Sequence, residues 1–158
     1  MRRVILLLSL LMLTLPSACR HGRGANGGPE TAPTGPSVLT DSAVQSALHG
    51  TVSFAHHIKP VLQSRCVVCH DGKTMPGLFA LTSRDAAFRP GTRGARIVPG
   101  HPEKSLLFLN PKGTHGAVKA MPPVGNRLTA DELNILGRWI KQGAEWPSGA
   151  AGRLTPAQ

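Results

Sequence analysis

The chain has no tyrosine, and its large rings are limited to two tryptophans and four phenylalanines among 158 residues. A folded domain this poor in aromatics has few bulky side chains with which to fill a core, which leaves room for something else inside it. Cysteine is scarce as well. Cys19, Cys66 and Cys69 are three in number, so they cannot all pair as disulfides. Acidic residues number 8 against 18 lysines and arginines, a formal charge of +10. The basic residues are scattered, however, with no run of four or more. There is almost no alternating strand pattern and no internal repeat. The longest apolar run, Val4 to Leu15, is interrupted by Ser9 and Thr14 and covers 12 residues. A bilayer crossing needs about 20, so a multispanning membrane protein is excluded.

That short run has the form of an export signal. Met1-Arg2-Arg3 is a basic n-region, Val4 to Leu15 an h-region, and Pro16-Ser17-Ala18-Cys19 a processing site. Small residues directly before a cysteine resemble the lipobox of bacterial lipoproteins, in which the cysteine takes a lipid and becomes the first mature residue. The box departs from the usual one in having Pro16 where leucine is common, with Leu15 one place earlier. The alternative is plain signal-peptide cleavage with Cys19 incidental. Residues 1–18 are therefore expected to be a signal peptide, with export to the periplasm or cell envelope and a lipid anchor at Cys19. Removal of Arg2 and Arg3 leaves 16 basic residues against 8 acidic, a charge of +8. Export makes nucleic acid an unsuitable partner; an acidic redox protein remains suitable, beside a merely soluble basic surface.

From Arg20 to Ser37 there is no large apolar side chain, and glycine and proline dominate. Such a segment cannot offset its own ordering entropy. Residues 19–53 are accordingly expected to form a disordered tether, with a weak helix candidate at residues 38–50. About 30 flexible residues span on the order of 30 Å. The folded domain is expected over residues 54–147 and a flexible tail over residues 148–158.

Four helix signals fall in that domain. Ser53 can cap a helix running toward Arg65, in which Pro60 either makes a kink or marks the first turn. A short helix follows near residues 83–88. Pro102 suits the first position of a helix through Leu109, with Glu103 at its positive end. Thr129-Ala130-Asp131-Glu132 is a capping box, and Leu133, Leu136 and Ile140, joined by Ile135 and Trp139, repeat at helical spacing until Gly143.

Cys66-Val67-Val68-Cys69-His70 is the sequence signature of c-type haem attachment. Two thiols three residues apart can add across the two vinyl groups of one porphyrin edge, and the next residue then stands over the iron, where an imidazole can coordinate. A zinc site would need a second pair of ligands, and no cysteine follows Cys69. A thioredoxin-like pair would need a βαβ setting that is missing. One covalent haem c held by Cys66 and Cys69, with His70 as the proximal iron ligand, fits best. It also gives every sulfur a thioether if Cys19 carries lipid. For the opposite face of the iron Met121 is the leading candidate, 51 residues beyond His70 and followed by two prolines. Met75 stands close behind His70, and His115 and His101 are further candidates; His56 and His57 precede the motif on its own helix.

The chain at this point resembles the planctomycete-type cytochrome c domain. The likeness is carried by Phe54, Ile58-Lys59-Pro60-Val61-Leu62, the Cys66–His70 motif, Gly77-Leu78, Ser83-Arg84, Ile97-Val98-Pro99-Gly100, Ser105-Leu106-Leu107, Met121-Pro122-Pro123, Leu128-Thr129 and Trp139-Ile140 through Trp146-Pro147. The resemblance implies an all-α, small single-domain cytochrome c fold wrapped around one covalently bound haem. It further implies His/Met ligation by His70 and Met121, and a loop near the haem at Pro99 and Gly100. His101 replaces the more usual Asp or Asn, which weakens a helix cap. The family's domain is often fused to larger modules, whereas here it stands on a tether, which fits a monomeric one-electron carrier rather than an enzyme. The alternatives are a haem-based sensor or small haem peroxidase with a displaceable sixth ligand, and a thiol–disulfide oxidoreductase using Cys66 and Cys69.

Overall fold

A computed structural model describes residues 35–74, 79–114 and 121–157. The signal segment, Cys19 and the start of the tether lie outside the described residues, as do Met75 and His115. Within them the chain is helical and has no named strand, with an isolated bridge between Gly91 and Gly94.

The first helix, α1 (Asp41–His49), begins at Thr40, whose hydroxyl accepts from the Ala43 amide. It buries Val44 and Ala47 against the last helix. Leu39 and Val52, on either side of it, are buried too. The folded part therefore starts well before residue 54, and the expected tether is shorter at its C-terminal side. The physical reason is that four apolar side chains on one short segment find a partner face, which local composition did not reveal.

Helix α2 spans residues 54–67 and carries the first cysteine of the motif. Ser53 caps it, accepting from the His56 amide. Its centre is the α-helical turn Lys59–Leu62 with Pro60 in first-turn position, flanked by π-helical turns at Phe54–Ile58 and Gln63–Val67. Pro60 has no N–H to offer the carbonyl one turn back, and the ladder before it widens, with the Lys59 amide reaching the Phe54 carbonyl. Helix α3 (Arg84–Phe88) is capped by Ser83 through the Ala86 amide.

The helix expected to run from Pro102 through Leu109 is broken in two. Pro102–Lys104 makes a 3-10 turn, and α4 (Leu106–Lys112) starts afresh after Ser105. Ser105 is fully buried, and its hydroxyl accepts from the Val98 amide at 2.9 Å and donates to the His101 carbonyl at 2.9 Å, so the residue serves the preceding loop rather than a helix. His101 makes no side-chain cap bond, as its identity implied.

Helix α5 (Ala130–Lys141) is the scaffold. Its capping box is complete, with the Glu132 amide donating to the Thr129 hydroxyl and the Glu132 carboxylate accepting from the Thr129 amide. Ile135, Leu136, Trp139 and Ile140 are all buried, facing α1, α4 and the start of α2. Gly137 lets α4 approach: a Cβ there would stand 2.8 Å from the Phe108 ring. Phe54, Trp139 and Trp146 form a cluster with ring centroids 4.7 to 6.1 Å apart, joined by Phe88. The expected flexible tail also packs. Leu154 is buried with its amide on the Thr82 carbonyl at 2.9 Å, and the Trp146 indole donates to the Gly152 carbonyl at 2.7 Å.

Candidate functional site

Helix α2 ends inside the cysteine motif. The amides of Cys69 and His70 both turn back to the Cys66 carbonyl, at 3.2 and 2.9 Å, which closes the helix over the spacer residues. Val67 points into the core and Val68 stays half exposed. The His70 carbonyl then accepts from the Leu81 amide at 2.7 Å, which fastens the motif to the segment leading into α3.

His70 is oriented from the same segment. Its Nδ1 lies 3.0 Å from the Phe79 carbonyl oxygen, which can only accept. Nδ1 therefore carries the proton, and Nε2 is left with a free lone pair. The Phe79 ring stacks on the imidazole with centroids 4.4 Å apart. Burial holds the His70 pKa below the ordinary histidine value, and the Arg96 charge adds to this while the Phe79 hydrogen bond opposes it. A neutral imidazole with one nitrogen satisfied is the form in which histidine binds a metal.

Cys66 and Cys69 are unpaired, Cys66 buried and Cys69 half-buried. Burial pushes the Cys66 thiol up to about 12, with the Glu132 carboxylate adding to the effect. Thiol–disulfide exchange proceeds through thiolate, so this is a poor redox nucleophile at neutral pH.

Cys66, Cys69, His70 and Met121 line one cavity of ≈ 490 Å³. Met121 joins the lining next to Pro122 and Pro123, and its amide donates to the Asn110 carbonyl of α4 at 3.1 Å. The wall is mainly apolar, including Leu81, Leu107 and Leu128, and among the described residues no Asp or Glu lines it. Pro99 and Gly100 are not among its lining residues; the Gly100 amide bonds the Ile140 carbonyl of α5 at 2.7 Å, and the segment just before them contributes Gly91, Arg93 and Arg96 to the wall. An apolar cleft with two free thiols, a free imidazole nitrogen and a thioether fits a flat, hydrophobic metalloporphyrin.

Residues 66–125 match the family of planctomycete cytochrome C. This is the family the sequence resembles, and the matched stretch takes in Cys66, Cys69, His70 and Met121. The match points to a haem-binding electron-transfer protein with its haem c attached covalently. No curated protein and no solved structure matches the chain.

Four contributors to the site were not foreseen. Phe79 and Asn110 act through backbone carbonyls, which any residue possesses, so side-chain identity gave no signal. Arg96 joins the wall from a Gly-rich loop. Arg65, next to the motif, has only 5% of its side chain accessible because Nη2 reaches Glu132 at 3.3 Å and the Pro36 carbonyl.

Proposed function

We propose that the protein is a single-haem c-type cytochrome that passes electrons one at a time. Cys66 and Cys69 form the two thioethers, His70 Nε2 is the proximal iron ligand and the Met121 thioether the distal one. The observation that carries this reading is the convergence of all four side chains on one cavity with no carboxylate among its described lining residues. Haem, once bound, supplies a one-electron iron couple. The chain's own residues fix His70 through Phe79, fix Met121 through Asn110, and line the cavity with mainly apolar surface. A low-dielectric wall disfavours the more highly charged ferric state and so raises the potential, and thioether ligation acts in the same direction. No residue of the site is called on for acid–base work.

The protein is further proposed to be exported, monomeric and lipid-anchored at Cys19, with redox proteins as its partners; residues 1–19 support this through their basic, apolar and small-residue order. Intact-mass spectrometry after expression with a haem-attachment system is the direct test. The denatured chain should carry the mass of one haem, and fractionation should find it with membranes unless Cys19→Ala is introduced. In the loaded protein Met121→Ala should abolish the weak red-edge absorption of iron–thioether bonding and lower the potential. A chain without haem mass overturns the reading. Rapid binding of carbon monoxide by the unaltered ferrous protein would favour the sensor or peroxidase.

A further inference from the structure

Arg96 is held on one side only. Its Nη1 donates to the carbonyls of Ala86 and Arg89 at 3.1 and 2.7 Å, and its guanidinium lies 4.6 Å above the centre of the Phe79 ring. Nε and Nη2, the other edge of the fork, have no protein acceptor among the described residues. That edge faces Gly91, where a Cβ would stand 3.5 Å from both nitrogens. Gly91 has no positive φ, so its backbone does not require glycine. What the missing side chain does is leave the fork uncovered.

Arg96 and Gly91 both line the cavity, and Arg65 and Arg93 line it as well. Arg65 is paired with Glu132, whereas Arg93 and Arg96 form no ion pair among the described residues. Among the described residues the wall has three guanidiniums and no carboxylate, a surplus of positive charge that suits an anion. The Nε/Nη2 edge of arginine matches a carboxylate in bidentate geometry, and such pairs are among the strongest hydrogen-bonded contacts in a partly buried site.

We infer that the open Nε/Nη2 edge of Arg96, uncovered by Gly91, receives a propionate carboxylate of the haem. This rests on the haem reading above. Arg96 then joins three parts: the propionate through its free edge, the ring beneath the proximal histidine through its face, and the end of α3 through Nη1. It is a binding residue for the cofactor, and it places a fixed positive charge where it favours the ferrous state.

The test uses haem labelled with carbon-13 at its propionate carboxyl carbons, made by feeding labelled aminolaevulinate during expression. In the ferrous protein the two carboxyl signals are recorded for the unaltered chain, Arg96→Gln and Gly91→Ala. One signal, the same in both variants, should shift, and the other should stay. Arg96→Gln should also lower the reduction potential, with Arg96→Lys restoring part of the loss. Gly91→Ala retains the Arg96 contacts to Ala86 and Arg89, so it answers the question even if Arg96→Gln folds poorly. Both signals unmoved in a haem-loaded Gly91→Ala protein, with the potential of Arg96→Gln unchanged, overturn the inference and leave the haem reading intact. An unaltered chain with no haem signal overturns the haem reading itself.

Discussion

Glu132 serves three parts of the chain with one carboxylate. Oε2 accepts from the Thr129 amide, while Oε1 accepts from the Val38 amide at 2.8 Å and from Arg65 at 3.3 Å. The side chain is fully buried, as is nearly all of Arg65. The local part of this was legible, because a capping box is read from four consecutive residues. The rest was not. Nothing in the sequence near Glu132 indicates that residues 37 and 38 return to it, or that the arginine before the haem motif is drawn inward. Breaking one half of a buried pair leaves the other charge uncompensated, and Glu132→Ala should cost about 3–5 kcal/mol of stability. Arg65→Met should cost a similar amount. Because each single change includes the penalty of the stranded partner, the double variant should lose clearly less than the sum. Denaturant titration of the four proteins tests this, and strictly additive losses would show that the pair is not coupled.

Elements whose ends are set by their own neighbours were the ones read well from sequence. Ser53, Ser83 and Thr129 each cap a helix where the sequence placed one, and the Cys66–His70 motif closes α2. The misreadings concern packing: the helix candidate at residues 38–50 is α1 but belongs to the folded part rather than the tether, Ser105 turns to the preceding loop and interrupts a helix, and the tail packs. His57 belongs to the same group. From sequence it was a poor ligand candidate on the motif's helix, but it is buried and ties α2 to α1. Its Nδ1 accepts from the Ser53 amide at 2.9 Å, so the proton sits on Nε2, which donates to the Ser46 hydroxyl at 3.0 Å. Burial lowers its pKa below 6.5, and neighbouring His56 adds to the effect. The unfolded chain therefore binds this proton more readily than the folded one, and stability rises with pH across the window. The contribution is neutral above the unfolded value near 6.5 and turns into a penalty as pH falls below it. His57→Gln can keep both hydrogen bonds without titrating. In the haem-loaded protein, unaltered chain and variant should have the same pH dependence above about pH 7. Below about pH 6 the unaltered chain should lose stability faster. Parallel curves down to pH 5 would remove His57 as the cause.

At the scale of the whole molecule, the rings and the cavity divide the interior between them. The Phe54–Trp139–Trp146 cluster joins α2, α5 and the C-terminal segment, whereas Phe79 is the one Phe or Trp among the described residues of the cavity wall. A sequence poor in rings thus has a real counterpart in space, since the volume that more aromatics would occupy is the ≈ 490 Å³ between the motif and Met121. Sealed and empty, such a void would cost on the order of 10 kcal/mol, an upper bound for an open cleft, set against a typical native stability of about 5–15 kcal/mol. The haem is on this account part of the core, and the chain made without haem attachment should melt at a far lower temperature than the loaded protein. The loss should also be uneven. Helix α5 retains its capping box and the aromatic cluster stands outside the cavity wall, so amides of α5 should keep the most hydrogen-exchange protection. Amides in residues 89–97 and 121–128, which close over the cavity from two sides, should lose it first. Calorimetry and residue-resolved exchange on the haem-free and loaded chains separate the outcomes. Equal melting temperatures with unchanged protection in those two segments would mean that the fold closes without the haem, and that the cavity is a feature of the surface rather than of the core.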